Sequence, residues 1–200
     1  MKFSNRYIFL YISVLVIIVA GTLAIVSLVL RPRQEANRKG ETAARILKAA
    51  GYGALSTEQA VALFDSVASP ITDSQTERYA IVCSDGDTGQ VVYVSGKGLW
   101  GPIWGYVVLA SDNNTIKGVA FSHKSETPGL GAKITEESFA DSFSGKKIYN
   151  ADGEYVSVVL AAKGNSEANA ENSVDAISGA TITSKGVEKM LYEGLKDAGK

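Results

Sequence analysis

From Tyr7 to Leu30 the chain carries no charged side chain, and most of these 24 residues are Ile, Leu, Val or Ala. About 20 apolar residues span a bilayer core as a helix. A helix satisfies its own backbone hydrogen bonds, as hydrocarbon demands. The run is followed by Arg31-Pro32-Arg33, which reads as a stop and not as the small-residue cleavage site of a signal peptide. It is also too long and too free of polar residues for a buried core helix. The expectation is a retained anchor over 7–30 of an N-terminal segment 1–30, a helical juxtamembrane region over 31–75, and one folded domain over 76–200.

The formal net charge is −1, but it is unevenly spread. Residues 31–50 hold six Lys/Arg against two Asp/Glu, and residues 51–200 hold twelve against nineteen. A basic collar beside an acidic body suits a segment lying on anionic headgroups, so the membrane is an expected partner. No basic surface is large enough for phosphate backbones, so no nucleic acid is expected. Cys83 is the only cysteine and His123 the only histidine, which excludes an intrachain disulfide and leaves no iron–sulfur or zinc set, so no metal is expected. If such a chain moves electrons, an organic cofactor must carry them. Cys83 itself, in the apolar stretch Tyr79–Ser84, reads as a small buried hydrophobe in a strand. His123 reads as a loop residue or one that supports a site from behind.

The elements follow from local pattern. Arg33–Ala50, rich in Ala, Glu, Lys and Arg, reads as a helix ended by Gly51-Tyr52-Gly53. Ser56 is a good N-cap for a second helix reaching about Val67, with Pro70 in the linker beyond it. Strand-like segments are Tyr79–Ser84, Gln90–Ser95, Trp104–Ala110 and Thr115–Ser122, the last two joined by the Asx-rich turn Ser111–Asn114. A short helix is expected over Glu136–Phe143, a strand over Tyr155–Ala162, a polar loop over Lys163–Asn172, and a terminal helix over Thr183–Ala198. The sum is an α+β domain on a mainly antiparallel sheet with flanking helices, behind a single N-terminal transmembrane helix.

The chemistry concentrates in Asp175-Ala-Ile-Ser178-Gly179-Ala180-Thr181-Ile-Thr183. A turn of small residues leads straight into a helix, so an incoming group can approach the backbone. The helix start offers unpaired N–H donors and the positive end of its dipole, a ready place for phosphate. Hydroxyls of Ser178, Thr181, Thr183 and Ser184 and the charge of Lys185 surround it. The same residues also suit a plain helix start with Thr183 or Ser184 as the cap.

The run Asp-x-x-Ser-Gly-Ala-Thr-x-Thr resembles the flavinylation motif of the FMN-binding domain family. Ser125-Glu126-Thr127-Pro128-Gly129-Leu130-Gly131 is similar to that family's ETPGLG loop. Gly96-Lys97-Gly98-Leu99-Trp100-Gly101 is similar to the GKGLW segment of its C-type branch, found in sodium-translocating NADH:quinone oxidoreductases. The resemblance implies FMN joined covalently to the Thr181 hydroxyl as a phosphate ester. Asp175, Ser178, Gly179 and Ala180 would be read by a separate, magnesium-dependent flavin transferase that uses FAD as donor. Glu126, Thr127 and Leu130 would contact the ring, and Lys163 would face the phosphate or ring. Trp100 and Trp104 are candidates for ring or membrane-interface contact, with core packing the competing role.

The resemblance further implies an electron carrier within a multisubunit pump, relaying electrons from NADH toward quinone with sodium export, the other subunits being its partners. The chain has no Gly-rich dinucleotide fingerprint of its own for NADH. The alternatives are the G-type component of the related ferredoxin:NAD complex, which shares the SGAT motif, and a non-redox anchored module. Charge counting around the anchor favours a cytoplasmic domain, because Arg31, Arg33, Arg38 and Lys39 outnumber Lys2, Arg6 and the amino terminus. The family implies the opposite: a bacterial inner-membrane protein with its domain on the outer, periplasmic face. The family's placement is the expectation taken.

Overall fold

The computed structural model describes residues 5–71, 78–162, 164 and 170–198. Its first element, α1, is one 45-residue helix from Asn5 to Ala49. The sequence suggested an anchor and a second helix from Arg33; the structure joins them through Pro32. A proline removes the bond to the carbonyl four residues earlier, here Leu28, and its ring crowds that carbonyl, yet the helix-forming residues Arg33–Ala36 beyond it continue the helix across the gap. An 18-residue window of α1 has a mean hydropathy of 2.8 and none of it is buried, so the helix is long and apolar enough to cross a membrane. Its last turns change character: Ala43, Ile46, Leu47 and Ala49 are buried.

Helix α2 spans Thr57–Val67. Ser56 caps it as expected, through a reciprocal box in which the Ser56 Oγ accepts from the Gln59 N–H and the Gln59 side chain accepts from the Ser56 N–H. Five antiparallel strands follow in simple order: β1 Ala68–Pro70, β2 Arg78–Val82, β3 Thr88–Lys97, β4 Pro102–Ala110 and β5 Ile116–His123. β1 falls where only a linker was expected. It lies on the sheet edge, where the missing N–H of Pro70 costs no ladder bond. The β4–β5 turn closes through Asp112, whose Oδ1 accepts from the N–H groups of Asn114 and Thr115.

Alternation along the strands divides the core in two. Val91, Val108, Ile81 and Cys83 face α1 and α2. Val92, Val94, Ile103, Val107, Val119 and Phe121 face the other way. There they meet Val187, Met190, Leu191 and Leu195 of the terminal helix α4, Thr181–Leu195. Burial of Cys83 raises its thiol pKa, in keeping with a packing role.

Between β5 and α4 the described residues are mostly irregular: a 3₁₀ turn over Gly131–Thr135, the short α3 at Glu137–Asp141, then β6 at Val159–Ala161. The strand expected over Tyr155–Ala162 is therefore only three residues long. Ser157 adopts φ 59° and breaks the extended run, and the Leu160 N–H turns to the Glu188 carboxylate. β6 pairs in parallel with β7, Ser173–Asp175, a strand the sequence did not suggest.

Candidate functional site

The direction of each element decides what gathers at which end of the sheet. The Ala49 carbonyl lies against Gly118, while Arg38 and Glu41 share a groove with Ser122, Lys124 and Trp104. Thus β5 runs down α1, from its C-terminal end toward the apolar segment. α4 begins at the same lower end, since Gly186 packs on the Lys97 carbonyl and Gly194 on Val94. The β3–β4 turn, the loop after β5 and the start of α4 therefore meet at one edge. These are the three segments singled out in the sequence.

Glu126 joins them. Its carboxylate is only 4 % exposed, and its Oε1 accepts the Trp100 N–H at 2.9 Å while its Oε2 accepts the Thr183 hydroxyl at 2.7 Å. Its own N–H is donated to His123 Nδ1 at 3.2 Å, which gives the lone histidine a supporting role. Gly98 and Gly131 press against the same carboxylate; a Cβ on either would sit within 2.6 Å of one of its oxygens. A buried carboxylate needs such donors. Glu126 is thus turned inward as the clasp of three loops, whereas the sequence reading had it facing a ring.

The helix start differs from the reading too. α4 begins at Thr181, with Ala180 as the N-cap and no side-chain cap at all. Thr183 and Ser184 are buried in the first turn and are not caps. Thr183 is spent on Glu126, and the Ser184 Oγ accepts the Ile177 N–H, pinning the turn before the helix. Ser184 N–H makes the first bond back, to the Ala180 carbonyl. The N–H groups of Thr181, Ile182 and Thr183 therefore have no carbonyl within the helix to bond. The Thr181 side chain stands exposed beside them, as do Ser178 and Gly179, while Ala180 is buried.

Gly179 has φ 77° and Gly129 φ 75°, values that favour glycine, and they shape two turns that touch: a Cβ on Gly179 would lie 3.1 Å from Leu130 Cδ2. Leu130 is exposed, and the Thr127 carbonyl accepts the N–H groups of Leu130 and Ala132. Leu130, against Gly179, and Ile182, next to Thr181, are 42 and 58 % exposed, and Leu99 and Trp100 of the β3–β4 turn at the same edge are 44 and 67 % exposed. Asp175 lies at the end of β7, its Oδ1 accepting the Gly164 N–H. Trp104 lines the groove beside α1. Lys163 lies outside the described residues.

An exposed hydroxyl on an uncapped helix start, beside an apolar surface, is chemically suited to a phosphate ester whose other end is a flat apolar ring. The donor set and the glycine turns fit FMN.

Comparison with known proteins gives a consistent picture. The FMN-binding domain family matches residues 98–196. The chain is 37% identical over 109 residues to NqrC, a component of the Na(+)-translocating NADH-quinone reductase, of Vibrio alginolyticus, covering 54% of this chain and 42% of that protein. It is 41% identical over 113 residues to NqrC of Haemophilus ducreyi, covering 56% and 43%. It thus spans less than half the length of these relatives. A crystal structure of NqrC from Parabacteroides distasonis superposes with a TM-score of 0.73 at 35% identity, covering 85% of this chain and 94% of that one. NqrC of Shewanella oneidensis shares the fold, with a TM-score of 0.66 at 23% identity and coverage of 81% and 94%.

Proposed function

This chain belongs to the FMN-binding domain family, and we propose that it is a covalent-FMN electron carrier of a sodium-translocating NADH:quinone oxidoreductase, with Thr181 as the attachment residue. The observation that carries the reading is the Thr181 hydroxyl, exposed at a helix start that no side chain caps. Bound there, FMN supplies reversible electron uptake, which none of this chain's own side chains offers.

The chain's residues hold and orient. The free N–H groups at the start of α4 and its dipole stabilise a phosphodiester's negative charge. Glu126 fixes Trp100 and Thr183 relative to each other, and so fixes the loop and the helix that flank Thr181. Leu130 and Ile182 supply apolar surface. Ser178 and Gly179, exposed ahead of Thr181, can be reached by an external flavin transferase, with Asp175 holding the end of β7 behind them. Lys163 is proposed to contact the phosphate or the ring. Residues 76–200 form the cofactor domain, anchored through 7–30 in the inner membrane and exposed on its outer face. NADH and quinone are handled by the other subunits of the complex.

The test is intact mass and in-gel fluorescence after denaturation, on protein purified from a host that has the transferase. Wild type is expected to carry one FMN, and Thr181→Ala none, with an unchanged circular dichroism spectrum. Flavin retained on denatured Thr181→Ala would remove Thr181 from the site. Flavin absent from the native protein as well would sink the covalent reading.

A further inference from the structure

We propose that the Leu99–Trp100 turn between β3 and β4 is a second membrane contact, its side chains entering the lipid interface beside the anchor. The proposal rests on the anchor part of the reading above and not on the flavin.

Three observations lead to it. The first is height. The Ala49 carbonyl packs on Gly118, which pairs with Val108, and Arg38 and Trp104 lie about 16 Å and about 13 Å below those residues along α1 and β4, so they stand near a common level. From Arg38 down α1 to Leu30, the last apolar residue, is about 12 Å at about 1.5 Å per residue. From Trp104 down β4 to the turn at Trp100 is about 13 Å at about 3.3 Å per residue. The turn thus ends level with the edge of the hydrocarbon, inside the polar zone of about 5–7 Å that flanks it. The second is composition. Trp100 is 67% exposed and Leu99 44%, at the tip of a hairpin whose Val, Ile and Leu side chains in β3 and β4 are all buried. Tryptophan favours this depth, where its ring is apolar and its N–H stays wet. The third is preorganisation. The Trp100 N–H is held by Glu126 Oε1, its carbonyl accepts the Ser125 hydroxyl, and the Gly98 N–H bonds the Gly101 carbonyl. The turn presents its side chains without a further ordering cost.

The occupant is the lipid interface itself, because the tip continues the level at which α1 leaves hydrocarbon. Two supports at one height fix the domain's tilt and keep the Thr181 edge facing the membrane.

The experiment uses the full chain, made without the flavin transferase, in phosphatidylcholine vesicles with or without bromine near the top of the acyl chains. In Trp104→Phe, Trp100 is the sole tryptophan. Its emission is expected to be blue-shifted and quenched about twofold by the brominated lipid, the signature of a ring at the interface. In Trp100→Phe, the remaining Trp104 is expected to be nearly unaffected. If Trp104→Phe misfolds, the difference between wild type and Trp100→Phe isolates the same emission. Co-flotation with the vesicles but no quenching of Trp100 overturns the second contact alone, and points to another protein as the tip's partner. Failure to co-float overturns the anchor and this inference together.

Discussion

At the scale of single residues the site turns on a carboxylate whose acceptors are both engaged. Glu126 receives one donor on each oxygen. Glu126→Gln can keep both bonds, by leaving its oxygen toward the Trp100 N–H and donating to a rotated Thr183 hydroxyl. Glu126→Ala can keep neither. The expectation is a small effect for Gln and a loss of about 1–3 kcal/mol per orphaned group for Ala, read from urea midpoints. Thr183→Ala orphans only one side and should cost at the lower end of that range. A different residue governs alkaline behaviour. The Tyr155 hydroxyl donates to the Tyr192 carbonyl at 2.7 Å and lies 3.2 Å from that of Leu191, and burial pushes its pKa to about 12. A raised value means stability complete below the unfolded pKa of about 10 and lost as pH climbs through about 12. The advantage of wild type over Tyr155→Phe in urea should therefore shrink across that window and hold constant below it. The sequence could not tell Thr181 from Thr183 by physics alone, since either hydroxyl suits a helix start. What separates them is a partner distant in sequence, Glu126, which claims Thr183 and leaves Thr181 in solvent.

At the scale of elements, legibility followed locality. The four long strands and the capped α2 were visible because their signals are near neighbours: alternation, Asx turns, and a Ser56–Gln59 box. β6 was legible only as part of a longer strand, Tyr155–Ala162, and β7 was not legible at all, because a three-residue parallel pair is defined by its partner and carries too little alternation to read. α1 reads as two helices because the apolar run stops at Leu30 and a different, Ala/Glu/Lys/Arg-rich pattern begins at Arg33, whereas the backbone runs on through Pro32 between them. α4 was legible as the packing helix through Val187, Met190, Leu191 and Leu195, all buried. Leu191→Ala leaves a cavity between α4 and the sheet and should cost about 2–5 kcal/mol. Its denatured protein should still carry flavin if attachment needs only the exposed start of the helix.

For the whole molecule the sidedness prediction joins anchor to cofactor. The Arg31–Lys39 cluster argues for a cytoplasmic domain by charge count, while family membership argues for the outer face, and the charge rule is statistical. Protease added to intact spheroplasts is expected to digest residues beyond the anchor while a cytoplasmic marker survives. Protection until lysis would place the domain inside and would require flavin transfer there. The uninterrupted α1 carries one more consequence. Its apolar run of 24 residues measures about 36 Å against about 30 Å of hydrocarbon, an excess that a helix relieves by leaning. The same helix continues through Pro32 into Ile46 and Leu47 of the core. A lean the bilayer imposes is therefore carried along one helix toward the sheet, so that membrane thickness and the tip at Trp100 together trim the attitude of the Thr181 edge much as mast and stay set a sail.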